Sequence, residues 1–452
     1  MGVANLQSTH ASVRITADFR FAITISMARG RIWSGHRHFF GAGPFLQTQQ
    51  CCSANCTHSL GGSPPTLRCG TILWMKPTGE TVWIMEQAKE VGFDLCGVVR
   101  AEEFPELENT AEWLARGYAG EMKYLHDPRR VDPSRAMPGV RSVIVCALSY
   151  NTDNPRSTEA ELAGREDEPR GWVSRYGWGD DYHEVLLDRL ETLIARVREQ
   201  FVEPFEARAY VDTGPIQERV AAKYAGLGWL GKNTLLLNQT IGSYFFLGVI
   251  LTNLDLEPTL GLGEMPALDL CGSCTRCLDA CPTQAFVEPY VMDARKCISY
   301  LTIELRGSIP QELREPMGNH VFGCDICQDV CPWNRRASVS SLMQFQPRTL
   351  PSREANASGV SADAQSDSLF RPRLETLFSL SEEDFRELFR GSPVKRTKWQ
   401  GLMRNACIAA GNSKLAPGSA SHTRICERLR KLAACGDSMV AESAQWALSR
   451  IQ

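Results

Sequence analysis

The sequence predicts an α/β sheet domain, a cysteine-rich domain and a helical domain in series, and three observations predict it. Apolar strands alternate with amphipathic helices up to Thr252, eight of the 17 cysteines fall between Cys271 and Cys331, and short helical patterns fill residues 373–452. A chain of 452 residues has room for several such cores. Its 49 basic and 52 acidic side chains leave a formal charge of −3, which excludes a global basic field, so any polyanion site is a local patch. The longest apolar stretch, Tyr244 to Leu251, is far short of the roughly 18 residues a membrane helix needs, so neither a span nor a membrane partner is expected. Cysteines this dense at short spacings suit a reducing cytoplasm rather than a secreted disulfide scaffold.

Residues 1–75 stand apart. The first 74 carry six Arg, no Lys and one acid, Asp18, and are expected to be an unstructured extension or a misassigned start before a domain that begins after Met75 or Met85. Cys51, Cys52, Cys56 and Cys69 have no familiar ligand spacing. The α/β domain spans 76–265. It opens with a helix from Glu86 to Val91 that Gly92 stops, followed by a strand at Leu95–Val99. Strands at Arg141–Ser149 and Arg208–Val211 flank a helix over Tyr182–Phe201, whose Val185, Leu186, Leu190, Leu193, Ile194 and Val197 mark one apolar face. Ser243–Thr252 is the last strand. Residues 346–372 read as a linker, because Pro351–Ser368 has almost no large apolar side chain. Helices at Glu382–Phe389, Leu402–Ala410, Ile425–Ala434 and Val440–Ile451 then suggest a small, repeat-like helical domain. Residues 370–452 hold 14 basic and 8 acidic side chains, with six basic ones between Arg386 and Arg404 beside one acid, Glu387; a solvated face and a phosphate-binding patch both fit.

Residues 266–345 carry the strongest signal. Cys271, Cys274, Cys277 and Cys281-Pro282 follow the bacterial ferredoxin spacing for a 4Fe-4S cluster, in which the fourth cysteine ligates a second cluster. That second cluster needs its own set, and Cys324, Cys327 and Cys331-Pro332 supply it together with the upstream Cys297. The crossing rule assigns Cys271, Cys274, Cys277 and Cys331 to one cluster and Cys281, Cys297, Cys324 and Cys327 to the other. Two adjacent clusters make an electron wire, and the large domain upstream suggests a cofactor or substrate site at its end.

Several blocks of sequence resemble the epoxyqueuosine reductase family: Val211-Asp212-Thr213-Gly214-Pro215, Ala225 through Thr234, Gly242 through Gly248, Asp293 through Glu304, Phe322 through Asn334, and Gly401 through Ala406. The likeness covers about residues 83–452. It implies a cobalamin-dependent iron–sulfur enzyme that reduces the epoxide of epoxyqueuosine at the wobble position of tRNA, the last step of queuosine synthesis. It also implies a cobalamin-binding domain, a ferredoxin-like domain with two 4Fe-4S clusters and a C-terminal HEAT-like helical domain. By motif position Asp212 matches the family's proton donor. Cobalamin contacts would fall at Arg130, Asp212, Leu236, Leu247, Ser299, Cys324 and Asp325, and Arg306 looks like a tRNA-side residue. Lys395, Arg396, Lys398 and Arg404 of the basic tail are expected to hold tRNA phosphates. The expected form is a monomer; the sequence does not identify the electron donor.

Residue types agree with that chemistry. Reductive opening of an epoxide leaves an alkoxide, so an acid within hydrogen-bond reach is needed, and an aspartic acid can donate near neutrality only if burial raises its pKa. Without the resemblance, Asp212 would read as a residue turning the chain at a strand end. His183 reads as structural, because the Gly expected three residues after a base-off cobalamin histidine is missing. Gly226, Gly228 and Gly231 follow no clear strand and are not read as dinucleotide-binding. Two other readings remain: a reductive dehalogenase-like corrinoid enzyme, which would usually carry a twin-Arg leader, and a non-catalytic ferredoxin-like carrier, which would bind no corrinoid.

Overall fold

The computed structural model describes residues 79–160, 168–261, 264–350 and 367–451, all within one unit spanning Thr71–Gln452. The N-terminal extension with its four cysteines, the Met75 start and the middle of the expected linker lie outside the described residues.

Helix α1 (Glu80–Val91) starts six residues earlier than its sequence pattern suggests and ends where Gly92 adopts φ 102°, a left-handed cap that lets Gly92 and Phe93 donate to Lys89 and Ala88. Strands β1 (Leu95–Arg100), β2 (Ser142–Ser149), β3 (Ala207–Tyr210) and β4 (Phe245–Thr252) form one sheet in the order β1-β2-β4-β3. Every neighbouring pair is antiparallel, so the alternation of helix and strand produces an antiparallel and not a parallel sheet. Side chains alternate across it. Ile144, Cys146, Leu148, Phe246 and Ile250 face α1 and α2 (Tyr182–Gln200), while Val143, Val145, Ala147, Val249 and Leu251 face α3 (Glu218–Tyr224). Helix α2 comes so near β4 that a Cβ at Gly248 would lie 2.8 Å from Leu190 Cδ1. Helices on both faces leave the sheet's end as the place where loops gather.

The cysteine segment packs as short helices and loops: α4 (Arg276–Asp279), α5 (Ile298–Ile303) and α6 (Ile326–Asp329), with a strand His320–Phe322 that pairs in parallel with Trp172–Val173. The C-terminal region is helical, with α7 (Leu374–Phe378), α8 (Glu382–Leu388), α9 (Lys398–Gly411), α10 (Ala420–Ala433) and α11 (Ser438–Ile451). A capping box between Ser381 and Asp384 starts α8. Its core includes Trp172, Trp178, Val321 and Phe322 from the other two regions. The ends of the expected linker are ordered: Thr349 and Leu350 pair with Ser368 and Asp367, and Leu350 and Leu369 are buried. No helix among the described residues is long and apolar enough to cross a membrane.

Candidate active site

Strand β3 ends at Tyr210 and the chain turns at once. Thr213 N–H reaches back to Val211 O, and Asp212 sits at φ 55°, a left-handed conformation that costs a non-glycine residue roughly 1–2 kcal/mol. The Asp212 amide donates to Glu218 Oε1 at 2.6 Å, and Tyr182 Oη donates to Asp212 Oδ2 at 2.9 Å. Asp181 caps α2, so Tyr182 and His183 occupy its first turn and face the Asp212 turn. The Tyr182 ring lies flat on Phe246 of β4, with centroids 4.2 Å apart. His183 bridges two carboxylates, with Nδ1 2.7 Å from Asp181 Oδ1 and Nε2 3.7 Å from Asp212 Oδ2. The second distance is too long for a hydrogen bond, so this buried ring nitrogen has no hydrogen-bond partner.

The charge pattern reverses the expected protonation. Burial alone would raise the Asp212 carboxyl, but His183 and Tyr182 outweigh it and hold the group below its usual range. Burial likewise disfavours the His183 cation, but Asp181 and Asp212 push its pKa up to about 9. The proton therefore rests on His183, with Asp212 ionised beside it. Asp212 exposes 61% of its side chain although protein surrounds it on most sides, which places it on the wall of a hollow. Tyr124 and Arg396 lie within electrostatic reach of Asp212, and the buried Glu218 carboxyl is raised by desolvation and by the Asp212 charge. Tyr176 interacts electrostatically with both Asp212 and Asp325, and Tyr150 with both Asp325 and Cys327.

The other expected cofactor contacts distribute around this space. Arg130 is buried, donates from Nε to Tyr124 O at 3.1 Å, and stacks on that ring. Asp325 is buried and accepts from Ser174 Oγ at 2.5 Å and Arg175 N at 2.8 Å; burial raises its pKa to about 6. Ser299 is half-buried in the first turn of α5, two residues from Cys297. Leu236 and Leu247 share the core on the α3 side of the sheet, the face opposite Phe246.

The eight cysteines gather in two sets. Cys271, Cys274, Cys277 and Cys331 line a cavity of about 220 Å³, together with Leu237, Leu270 and Trp333. Cys324 and Cys327 act electrostatically on Cys297, which in turn feels Cys281. Burial pushes the Cys324 and Cys327 thiols well up, so thiolates there need a bound cation such as iron. Among the described residues no group of three His, Cys, Asp or Glu is close enough to hold a single metal ion. Cys331 is buried and the other seven thiols are half-buried, and four cysteines to a set suit a polynuclear cluster.

The basic residues divide. Arg306 is exposed and donates to Arg396 O at 3.0 Å. Arg396 pairs with Glu304 at 2.6 Å, Lys395 pairs with Asp181 at 2.7 Å, and Lys398 is exposed. Arg404 is a correction: it is 0% exposed and donates to the carbonyls of Leu301, Leu305 and Gly307, so it holds α9 against the α5 segment and no phosphate can reach it. An arginine in a basic run carries no mark of burial, but its neighbours Met403 and Asn405 are buried too, because Gly401 to Gly411 is an all-round buried helix. Asp180 pairs with Arg348 at 2.8 Å. The glycine turn is structural: a Cβ at Gly228 would lie 2.0 Å from Leu237 O. Sequence reasoning missed Tyr124, Tyr176, Tyr182 and Glu218, and took His183 for a structural residue. Its position just after the Asp181 cap, in the first turn of α2, was the available signal.

Comparison with known proteins gives the family. Residues 130–213 match the family model described as epoxyqueuosine reductase QueG, DUF1730, and residues 270–334 match a 4Fe-4S double cluster binding domain. An epoxyqueuosine reductase of Pseudomonas aeruginosa is 40% identical over 371 residues, covering 81% of this chain and 93% of that protein. The Gloeobacter violaceus epoxyqueuosine reductase is 43% identical over 346 residues, covering 75% and 98%. A crystal structure of epoxyqueuosine reductase with an epoxyqueuosine-modified tRNA-Tyr stem loop matches with TM-score 0.68 and 29% identity, over 82% of this chain and 89% of that one. A Bacillus subtilis epoxyqueuosine reductase, solved with its catalytic aspartate loop swung out of the active site, matches with TM-score 0.64 and 27% identity, over 82% and 98%. With two fifths of its residues shared across most of both chains, this oxidoreductase belongs to the epoxyqueuosine reductase family.

Proposed function

We propose that the chain reduces epoxyqueuosine to queuosine at the wobble position of tRNA, in the cytoplasm, with cobalamin and two 4Fe-4S clusters. The observation that carries this reading is the proton-holding pair of His183 and Asp212 at the end of β3, in a chain whose Cys271, Cys274, Cys277 and Cys331 line one cavity. Arg130, Leu236, Leu247, Ser299, Cys324 and Asp325 would hold the corrinoid, and the buried His183 Nε2 without a hydrogen-bond partner is free to serve the substrate. When bound, cobalamin supplies low-valent cobalt able to deliver electrons to the epoxide carbon.

Removing an epoxide oxygen takes two electrons and two protons and releases water. Carbon–oxygen cleavage places negative charge on oxygen, and a proton delivered there must come from a group that still holds one at neutral pH. In this chain His183, protonated up to about pH 9, is that group, and Asp212, whose Oδ2 lies 3.7 Å from His183 Nε2, would relay its proton to the substrate oxygen. Asp181 orients the imidazole through Nδ1, and Tyr182 fixes the Asp212 rotamer. Cys271, Cys274, Cys277 and Cys331 would hold one cluster and Cys281, Cys297, Cys324 and Cys327 the other. Arg306, Lys395, Arg396 and Lys398, near the mouth of the hollow, would take tRNA phosphates, and the tail would be a HEAT-like tRNA-binding domain. The test is anaerobic reconstitution with cobalamin and reductant on epoxyqueuosine-bearing tRNA, followed by mass analysis of nucleosides. Queuosine should appear only with the corrinoid present, and loss of epoxyqueuosine without gain of queuosine would refute the reading.

A further inference from the structure

Asp212 is held in a costly backbone conformation by few bonds. The pairing of β3 with β4 ends at Tyr210 opposite Val249, so the Asp212 amide has no strand partner, and its acceptor is the carboxyl of Glu218, the first residue of α3. The remaining ties are the Thr213 amide and hydroxyl bonds to Val211 O, which lie inside the turn, and the Tyr182 hydroxyl and the His183 ring on the Asp212 carboxylate. Glu218 is thus the bond that joins the backbone of the turn to a helix packed on the sheet. In the Bacillus subtilis relative a catalytic aspartate loop has been seen swung out of the active site, so a loop of this kind has two positions in that protein.

We propose that Glu218 is a positioning residue that latches the Asp212 turn inward, keeping its carboxylate against His183 and Tyr182. The inference rests on reading Asp212 as the acid of the reaction. The latch needs an acceptor oxygen and not a charge: burial and the Asp212 carboxylate favour the neutral Glu218 carboxyl, whose carbonyl oxygen still accepts an N–H. Glutamine keeps that oxygen, and alanine removes it.

The experiment compares Glu218→Gln, Glu218→Ala and Asp212→Asn in the full chain loaded with clusters and cobalamin. It reads single-turnover rate, KM for epoxyqueuosine-bearing tRNA, and hydrogen exchange of the peptide covering residues 208–217. Glu218→Ala should slow turnover by about 10–100-fold through misplacement of the acid, leave KM unchanged and speed exchange at the turn. Glu218→Gln should restore both rate and exchange to within about threefold of the unaltered protein. A wild-type rate in Glu218→Ala overturns the proposal, as does a Glu218→Gln variant as slow as the alanine. If Asp212→Asn turns over normally, the acid assignment fails instead, and the exchange of the two Glu218 variants still decides whether the latch exists.

Discussion

The cysteine loops and the Asp212 hollow serve one reaction but are specified differently. In the first, four thiols lie within eleven residues, Cys271 to Cys281, and short turns alone bring three of them round one cavity. In the second, Tyr124, Tyr182, the Asp212–Glu218 turn and Arg396 arrive from four separate stretches of chain, and the network exists only once the sheet, its helices and the C-terminal region have packed. Spacing encodes ligand chemistry locally; protonation is set by neighbours that spacing does not reveal.

Breaking the local side should have the largest effect. Cys327→Ser should lower iron from about eight per chain to about four and abolish turnover, since it removes one thiolate from the crossed ligand set. Iron and sulfide analysis that stays near eight of each would separate Cys327 from the clusters. Next comes the packing that joins the regions. Arg404→Ala leaves the buried carbonyl of Leu301 without its donor, at about 1–3 kcal/mol, removes the bonds to the less buried Leu305 and Gly307 carbonyls and empties the core around it, so it should lower Tm sharply or prevent folding. A stable variant with weakened tRNA affinity would restore Arg404 to the surface.

The networked side should show in pH. His183 has a folded pKa raised to about 9 from 6.5, so the stability its charge contributes is complete below about 6.5 and lost as pH rises through 9. Turnover should follow the same proton and fall about tenfold per unit above pH 9. A rate that stays flat to pH 10 would remove His183 from the proton path. The smallest effect belongs to the rim: Lys398→Gln should weaken tRNA binding and lower the salt slope by about one unit. Unchanged affinity and slope would remove Lys398 from the phosphate contacts.

How much could be read in advance follows the same division. The four main strands and the longest helix stand within about two residues of their apolar patterns, because each buries a periodic face. The antiparallel order was not legible, since it depends on which strands meet across long connections. Asp212 was legible only through its motif, and its ionisation state was not, because burial and the His183 cation act in opposite directions and the second is invisible until α2 is placed beside β3. Arg404 was misplaced for a like reason: charge density along the chain does not say that a helix is buried on every side.

The account stands most directly on Asp212. Asparagine keeps the shape and cannot carry a proton, and a positioned acid contributes about 10²–10⁴-fold. Single-turnover reduction of epoxyqueuosine in tRNA by Asp212→Asn, with cluster and corrin spectra and tRNA affinity near wild type, should be slower by that order. A wild-type rate where chemistry limits turnover would leave Asp212 as a turn residue and contradict the proposed role of the hollow.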